Sequence, residues 1–289
     1  MYNFLAAPFH DASVRNSFAA VVALALSAGP VGVFLMLRRM SLVGDAMSHA
    51  ILPGVAIGFL AAGLNVFAMT LGGMIAGLVI ALLAGAVSRS TELQEDASLA
   101  VFLLVSLALG IVIVVANGMD IERLMEFLFG EMAAKMNPEK LLVIAANSTV
   151  SVLVLALIYR PLVIDCVDPG FLRTVSGTGG TAHFAFLALL VLNLISGFHA
   201  FGTLLGVGIM IIPATVARFW TRDITMMIVL AVATGALSGV AGLLLAFHAN
   251  VPSGPAVTLA AGLLYIGSVL FGRVGGVVWR LFPARHLEA

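Results

Sequence analysis

Nine runs of apolar residues, most of them close to the length of a hydrocarbon core, dominate this chain. They lie near 16–37, 47–64, 66–87, 97–116, 141–159, 182–198, 201–217, 224–247 and 256–272. About 20 apolar residues cross the core as a helix, and only helices and closed barrels can satisfy their backbone polar groups there. Composition agrees, with 62% hydrophobic and 10% charged residues against roughly 25% charged in a soluble domain. The chain therefore reads as an all-α polytopic membrane protein, one domain over 1–289 built as a bundle of about 8–9 transmembrane helices. Eight spans plus one re-entrant or broken segment fit the hydropathy almost as well as nine. The sixth and seventh runs touch, which leaves Phe198-His199-Ala200 as the expected turn. Pro53 and Pro213 each follow an apolar pair, a pattern that hints at two broken helices.

Charge bias sets an expected direction, because Lys and Arg accumulate on the cytoplasmic side. In the nine-span reading Arg38, Arg39, Arg89, Arg160, Arg173, Arg218, Arg222, Arg273, Arg280 and Arg285 share one side, and Arg15, Arg123, Lys135 and Lys140 the other. The N-terminus is then outside and the C-terminus cytoplasmic. The first basic residue is Arg15, so no secretory signal peptide is expected. Two connections are long. The outer one, 117–140, contains Ile121 to Glu131, whose apolar residues recur at helical spacing and predict a short surface helix. The inner one, 160–180, has Asp168-Pro169 as a helix start and Gly177, Gly179 and Gly180 as its exit. Glycines four apart (Gly54/Gly58, Gly73/Gly77, Gly202/Gly206, Gly235/Gly239, Gly272/Gly276) predict close helix packing inside the bundle.

Several chemistries are absent. Net charge is zero, so no basic surface points to nucleic acid. The single Cys166 excludes an internal disulfide and a thiolate cluster. The only lysines, Lys135 and Lys140, are followed by Met136 and Leu141, so there is no phosphate-binding loop. No histidine precedes a glutamate as in zinc proteases, and no Gly-x-Ser-x-Gly elbow is present. Transport or conduction, not covalent chemistry, is the default. Within Met40 to Ala56, Asp45 and His49 stand at i and i+4, on one helix face. A carboxylate and an imidazole there offer an O,N ligand pair for a divalent transition metal. The competing readings are a helix-capping Asp45 and a hydrogen-bonded core His49. Two ligands do not close a site, so a second copy, other spans or water must complete it. Glu95 and Asp96, which also suit a helix N-terminus, and His199 at an outer turn are further metal candidates. Asp165 and Asp168 are read as ordering the inner connection.

The segment Met40-Ser41-Leu42-Val43-Gly44-Asp45-Ala46-Met47-Ser48-His49-Ala50-Ile51-Leu52-Pro53-Gly54-Val55-Ala56 resembles the signature of the zinc/manganese/iron ABC-transporter permeases. Glu95-Asp96, Leu128-Phe129-Gly130, Tyr159-Arg160-Pro161-Leu162, Asp168-Pro169-Gly170-Phe171, Ile212 to Arg218 and Pro252-Ser253-Gly254-Pro255 resemble its other motifs. The resemblance implies a permease subunit of a bacterial importer in the cytoplasmic membrane. It implies that Asp45 and His49 hold the transported manganese, zinc or iron ion, one pair from each copy of a homodimer. It implies a partner ATP-binding-cassette ATPase that alone handles ATP, and an extracytoplasmic metal-binding protein. The ATPase contact falls on Asp168, Pro169, Gly170, Phe171, Leu172, Arg173 and Gly177. This chain departs from the pattern at Gly170, where relatives have an acid, at Thr174 to Gly177, and at His199, where they tend to have glutamine. No permanently bound cofactor is expected. The alternatives are a stand-alone cation-coupled carrier and a permease for a metal chelate.

Overall fold

The computed structural model describes residues 11–63, 65–91, 95–118, 136–167 and 178–278. Ten helices follow in order among them: α1 (Ala12–Leu37), α2 (Ser41–Ala50), α3 (Leu52–Ala62), α4 (Val66–Ser90), α5 (Glu95–Ala116), α6 (Pro138–Val167), α7 (Thr178–Phe201), α8 (Thr203–Arg218), α9 (Ile224–Ala249) and α10 (Ser253–Phe271). Among the described residues eight helical segments are long and apolar enough to cross a membrane, with α2 and α3 joined as one, and α8 is shorter at 16 residues. At 1.5 Å per residue α8 reaches about 24 Å, short of a core of about 30 Å. The nine runs thus become eight full spans and one short one.

The α2–α3 break follows from Pro53. With no N–H, Pro53 leaves the carbonyl of His49 without its helical donor. Ile51 nevertheless keeps right-handed helical angles, and Val55 N donates to Ile51 O at 3.1 Å, so the chain is interrupted without unwinding. Pro213 gives no such break and lies buried inside α8. The turn expected at Phe198-His199-Ala200 falls instead at Gly202. Its φ of 89° is left-handed, a conformation glycine adopts at little cost. The long inner connection also shrinks, because α6 runs on to Val167 and α7 begins at Thr178. Leu162 is fully buried and Asp165 pairs with Arg38, which holds those last turns in place. Residues 168–177, and the expected surface helix within 119–135, lie outside the described residues.

Contacts between helix ends sort the bundle into two sides. Ser13 Oγ and Asn16 Nδ2 donate to Met136 O, placing the start of α1 beside the start of α6. At the other end Arg38 meets Asp165, Tyr159 Oη lies 3.4 Å from Thr225 Oγ1, and Val274 N donates to Phe219 O. Arg38, Arg39, Arg160, Arg218, Arg222 and Arg273 therefore lie toward one end, and Arg15 and Lys140 toward the other. α1 is central, packing on α6, α7, α8 and α9. Neutral polar pairs join the inner helices: Ser27–Ser148 at 3.2 Å, Asn147–Ser196 at 3.0 Å and Asn193–Ser151 at 3.1 Å. Such bonds hold helices together in lipid, where apolar contact alone discriminates little. On the outside Leu104, Val112, Leu153, Leu157, Leu259 and Leu263 are exposed, an apolar surface suited to hydrocarbon. The glycine pairs pack internally: Gly54 and Gly58 meet the backbone of α4, Gly73 and Gly77 face Val55, Ile51 and side chains of α7, and Gly235 and Gly239 face α1 and α8.

Candidate metal site

α2 divides its residues between two faces. Val43, Gly44, Met47, Ser48 and Ala50 are buried, Asp45 is exposed and His49 is half-buried. A Cβ on Gly44 would meet Leu35 and Met210, so that face looks into the bundle. Ser106 Oγ of α5 donates to Ala50 O at 2.8 Å and fixes the end of the helix. Asp45 stands one turn, and His49 two turns, into α2 from the arginine-rich end.

Both bland readings of the pair fail on geometry. Helix α2 begins at Ser41, and its N-cap is Met40 with no side-chain cap, so Asp45 sits inside the helix and caps nothing. Among the described residues no hydrogen bond reaches its carboxylate; only its backbone carbonyl accepts, from Ser48 Oγ at 2.6 Å. His49 is not a satisfied core residue either. Its Nδ1 is buried without a partner, and buried polar atoms in folded proteins are usually paired. An exposed, unpaired carboxylate and a half-buried imidazole with an unsatisfied Nδ1 thus stand four residues apart on α2. Among the described residues no three His, Cys, Asp or Glu side chains come together, so at this place they present a pair of candidate ligands and not a closed cage.

The further candidates are spread out. Glu95 and Asp96 open α5 at the arginine-rich end, the end where α2 begins, and α5 packs along α2. His199 lies in the last turn of α7 at the opposite end. The expected coupling residues, Asp168 to Arg173 and Gly177, lie outside the described residues. Sequence reasoning missed Arg38, which it counted only as a topology charge. Arg38 is an ion-paired side chain 5% exposed, against 25% for Asp165. Nothing local in the sequence marks it, because its partners come from α6 and α7.

Residues 10–272 match the ABC 3 transport family. The chain belongs to that family. Among ABC 3 relatives, the manganese import system permease protein ScaB of Streptococcus parasanguinis is 29% identical over 253 residues, covering 88% of this chain and 88% of its own. The zinc transport system membrane protein TroC of Treponema pallidum is 31% identical over 288 residues, covering 97% of this chain and 96% of its own. The solved structure of PsaBC from Streptococcus pneumoniae in complex with Fab superposes with a TM-score of 0.86 at 26% identity, covering 97% of this chain and 99% of that one. As an ABC 3 family member the chain is a transport subunit, not an enzyme, and a multi-pass protein of the bacterial inner membrane.

Proposed function

We propose that this chain is the permease of an ATP-driven importer of divalent transition-metal ions (manganese, zinc or iron), working as a homodimer whose two copies hold the ion between them. The observation that carries this reading is Asp45 of α2, exposed on a bundle whose described helices turn many large apolar side chains outward. An ionised carboxylate facing hydrocarbon costs about 3 kcal/mol, so the face calls for a cover that is polar at that spot. A second copy about a two-fold axis is self-complementary and brings two carboxylates and two imidazoles to one ion. That is a ligand set of the kind manganese, zinc and iron share. The named manganese and zinc relatives support the class of cargo.

The arginine-rich end is cytoplasmic in this reading, by the positive-inside rule, so the N-terminus is outside. Residues 168–177 connect two helices at that end and are the docking segment for separate ATP-binding-cassette ATPase subunits. The opposite end, with 117–140 and 249–255, receives an extracytoplasmic metal-binding protein. Transport proceeds by alternating access. The ion enters the seam, is held by Asp45 and His49 weakly enough to leave, and is released when ATPase closure reorients the helices.

The seam is tested by cross-linking. Cys166 is the only native cysteine, so a C166A background is free of thiols. In it, Asp45→Cys should form a covalent two-copy species with a short thiol–thiol cross-linker in membranes. Leu157→Cys, on an 82% exposed apolar position of α6, should not. Linkage at 157 without linkage at 45 would place the dimer contact elsewhere.

A further inference from the structure

The Arg38 side chain is 5% exposed, whereas Asp45 is exposed, and the surroundings of Arg38 join three elements. Nη2 donates to Asp165 Oδ2 of α6, Nη1 donates to His183 Nδ1 of α7 at 3.3 Å, and Cζ lies 4.8 Å from the ring centroid of Phe186. Nε is buried without a partner. A buried ion pair with an unfilled donor is a weak source of stability compared with apolar packing, and its better-attested use is to fix geometry.

The geometry it fixes is specific. Arg38 caps the end of α1, and only Arg39 and Met40 separate it from α2, the helix of Asp45 and His49. That turn is tight: Arg39 has a left-handed φ of 60°, Arg39 N donates to Met36 O at 3.0 Å, and Met40 N to Leu35 O at 2.9 Å. Asp165 lies three residues before segment 168–177, and His183 six residues after it. One planar fork thus holds both roots of that segment to the root of the ligand helix. One turn earlier, Phe34 meets Tyr159 edge-on at 5.8 Å and ties α1 to α6 a second time.

We propose that Arg38 is the positioning residue that transmits movement of segment 168–177 to the Asp45/His49 helix. The inference rests on the reading that 168–177 docks on the ATPase. A push on that segment displaces the end of α6 and the start of α7 together. The guanidinium carries the α1–α2 turn with them, and the stiff turn passes the shift into α2. Lysine cannot replace it, because a point charge on a flexible stem cannot bridge Asp165 and His183 as a rigid fork does.

The test uses the complete transporter, with ATPase and binding protein, in liposomes, reading Mn2+ taken up and ATP hydrolysed in the same sample. For Arg38→Lys the ratio of Mn2+ moved to ATP hydrolysed should fall about tenfold, within the range single residues exert on coupling, with the melting temperature of the complex kept. Asp165→Asn retains an acceptor and should lower the ratio about threefold. His183→Gln, whose amide oxygen can also accept, should stay near wild type. A wild-type ratio in both Arg38→Lys and Asp165→Asn, or hydrolysis and uptake falling in equal proportion, overturns the proposal. If Arg38→Lys fails to assemble, Asp165→Asn alone decides by the same ratio. The docking reading fails separately: Phe171→Asp would then still co-purify with the ATPase, whatever the Arg38 ratio.

Discussion

Asp45→Ala and His49→Ala should each lower metal uptake by the assembled transporter more than about 100-fold, since losing even an outer-shell partner of a metal ligand costs about 10–100-fold in affinity. Hydrolysis of ATP and assembly with the partner subunits should persist. The reason is local. Asp45 is exposed and His49 is half-buried with an unpaired Nδ1, and no hydrogen bond among the described residues depends on the Asp45 carboxylate or on that nitrogen, so removing either leaves the bonding of α2 unchanged. The buried face of α2, with Val43, Met47 and Ala50, carries its packing. Asp45→Asn separates charge from shape, because it keeps an oxygen but is a poorer ligand for a hard cation, and it should follow Asp45→Ala. Uptake measured with Mn2+ and with Zn2+ checks the prediction. Unchanged uptake in either alanine variant would remove that residue from the ion path.

Gly54→Ala should abolish the folded permease, although it adds a single methyl group. A Cβ at Gly54 would overlap the Gly72 carbonyl oxygen, far inside van der Waals contact, and lie 2.6 Å from the Ala76 methyl. The clash is with backbone, so no side-chain rotation relieves it, and α3 must move off α4. Overpacking a close-packed interior costs about 1–3 kcal/mol and more where the backbone must shift. The matched control is Gly267→Ala in α10, where a Cβ would meet nothing within 4 Å. There the change should be neutral or stabilising by about 0.5–1 kcal/mol, the gain expected for alanine over glycine inside a helix. Thermal unfolding in detergent reads both. The comparison also separates two kinds of residue in the motif Met40 to Ala56. Asp45→Ala and His49→Ala should leave folding intact, whereas Gly54 serves packing and its alanine variant should lose uptake only because the protein is lost.

Much of this was legible in the chain, and the parts that were not have physical causes. Spans are set by hydropathy over 20 or so residues, so their number and order could be read directly. The short α8 was the exception, because a 16-residue apolar helix and a thin span look alike in sequence. The Phe198–Ala200 turn was misplaced because a polar His199 draws attention, whereas backbone freedom resides at Gly202. The pairing of Asp45 with His49 was visible because helical spacing places i and i+4 together whatever the fold. Which face of α2 they occupy was not, since that depends on Leu35 and Met210 packing over Gly44. Arg38 was invisible for the same reason: its partners Asp165 and His183 lie 127 and 145 residues away in sequence, and no local pattern announces a contact between helices.

The central claim is that one ion is shared by two copies of the Asp45/His49 pair. It is tested most directly by a permease made as two fused copies, with Asp45→Ala and His49→Ala placed in one copy only, assayed for Mn2+ uptake with its ATPase and binding protein. A shared site predicts that uptake falls nearly as far as when both copies are changed. Two independent pathways would instead leave about half of the wild-type uptake, as expected when equivalent sites act additively, and that result would contradict the account.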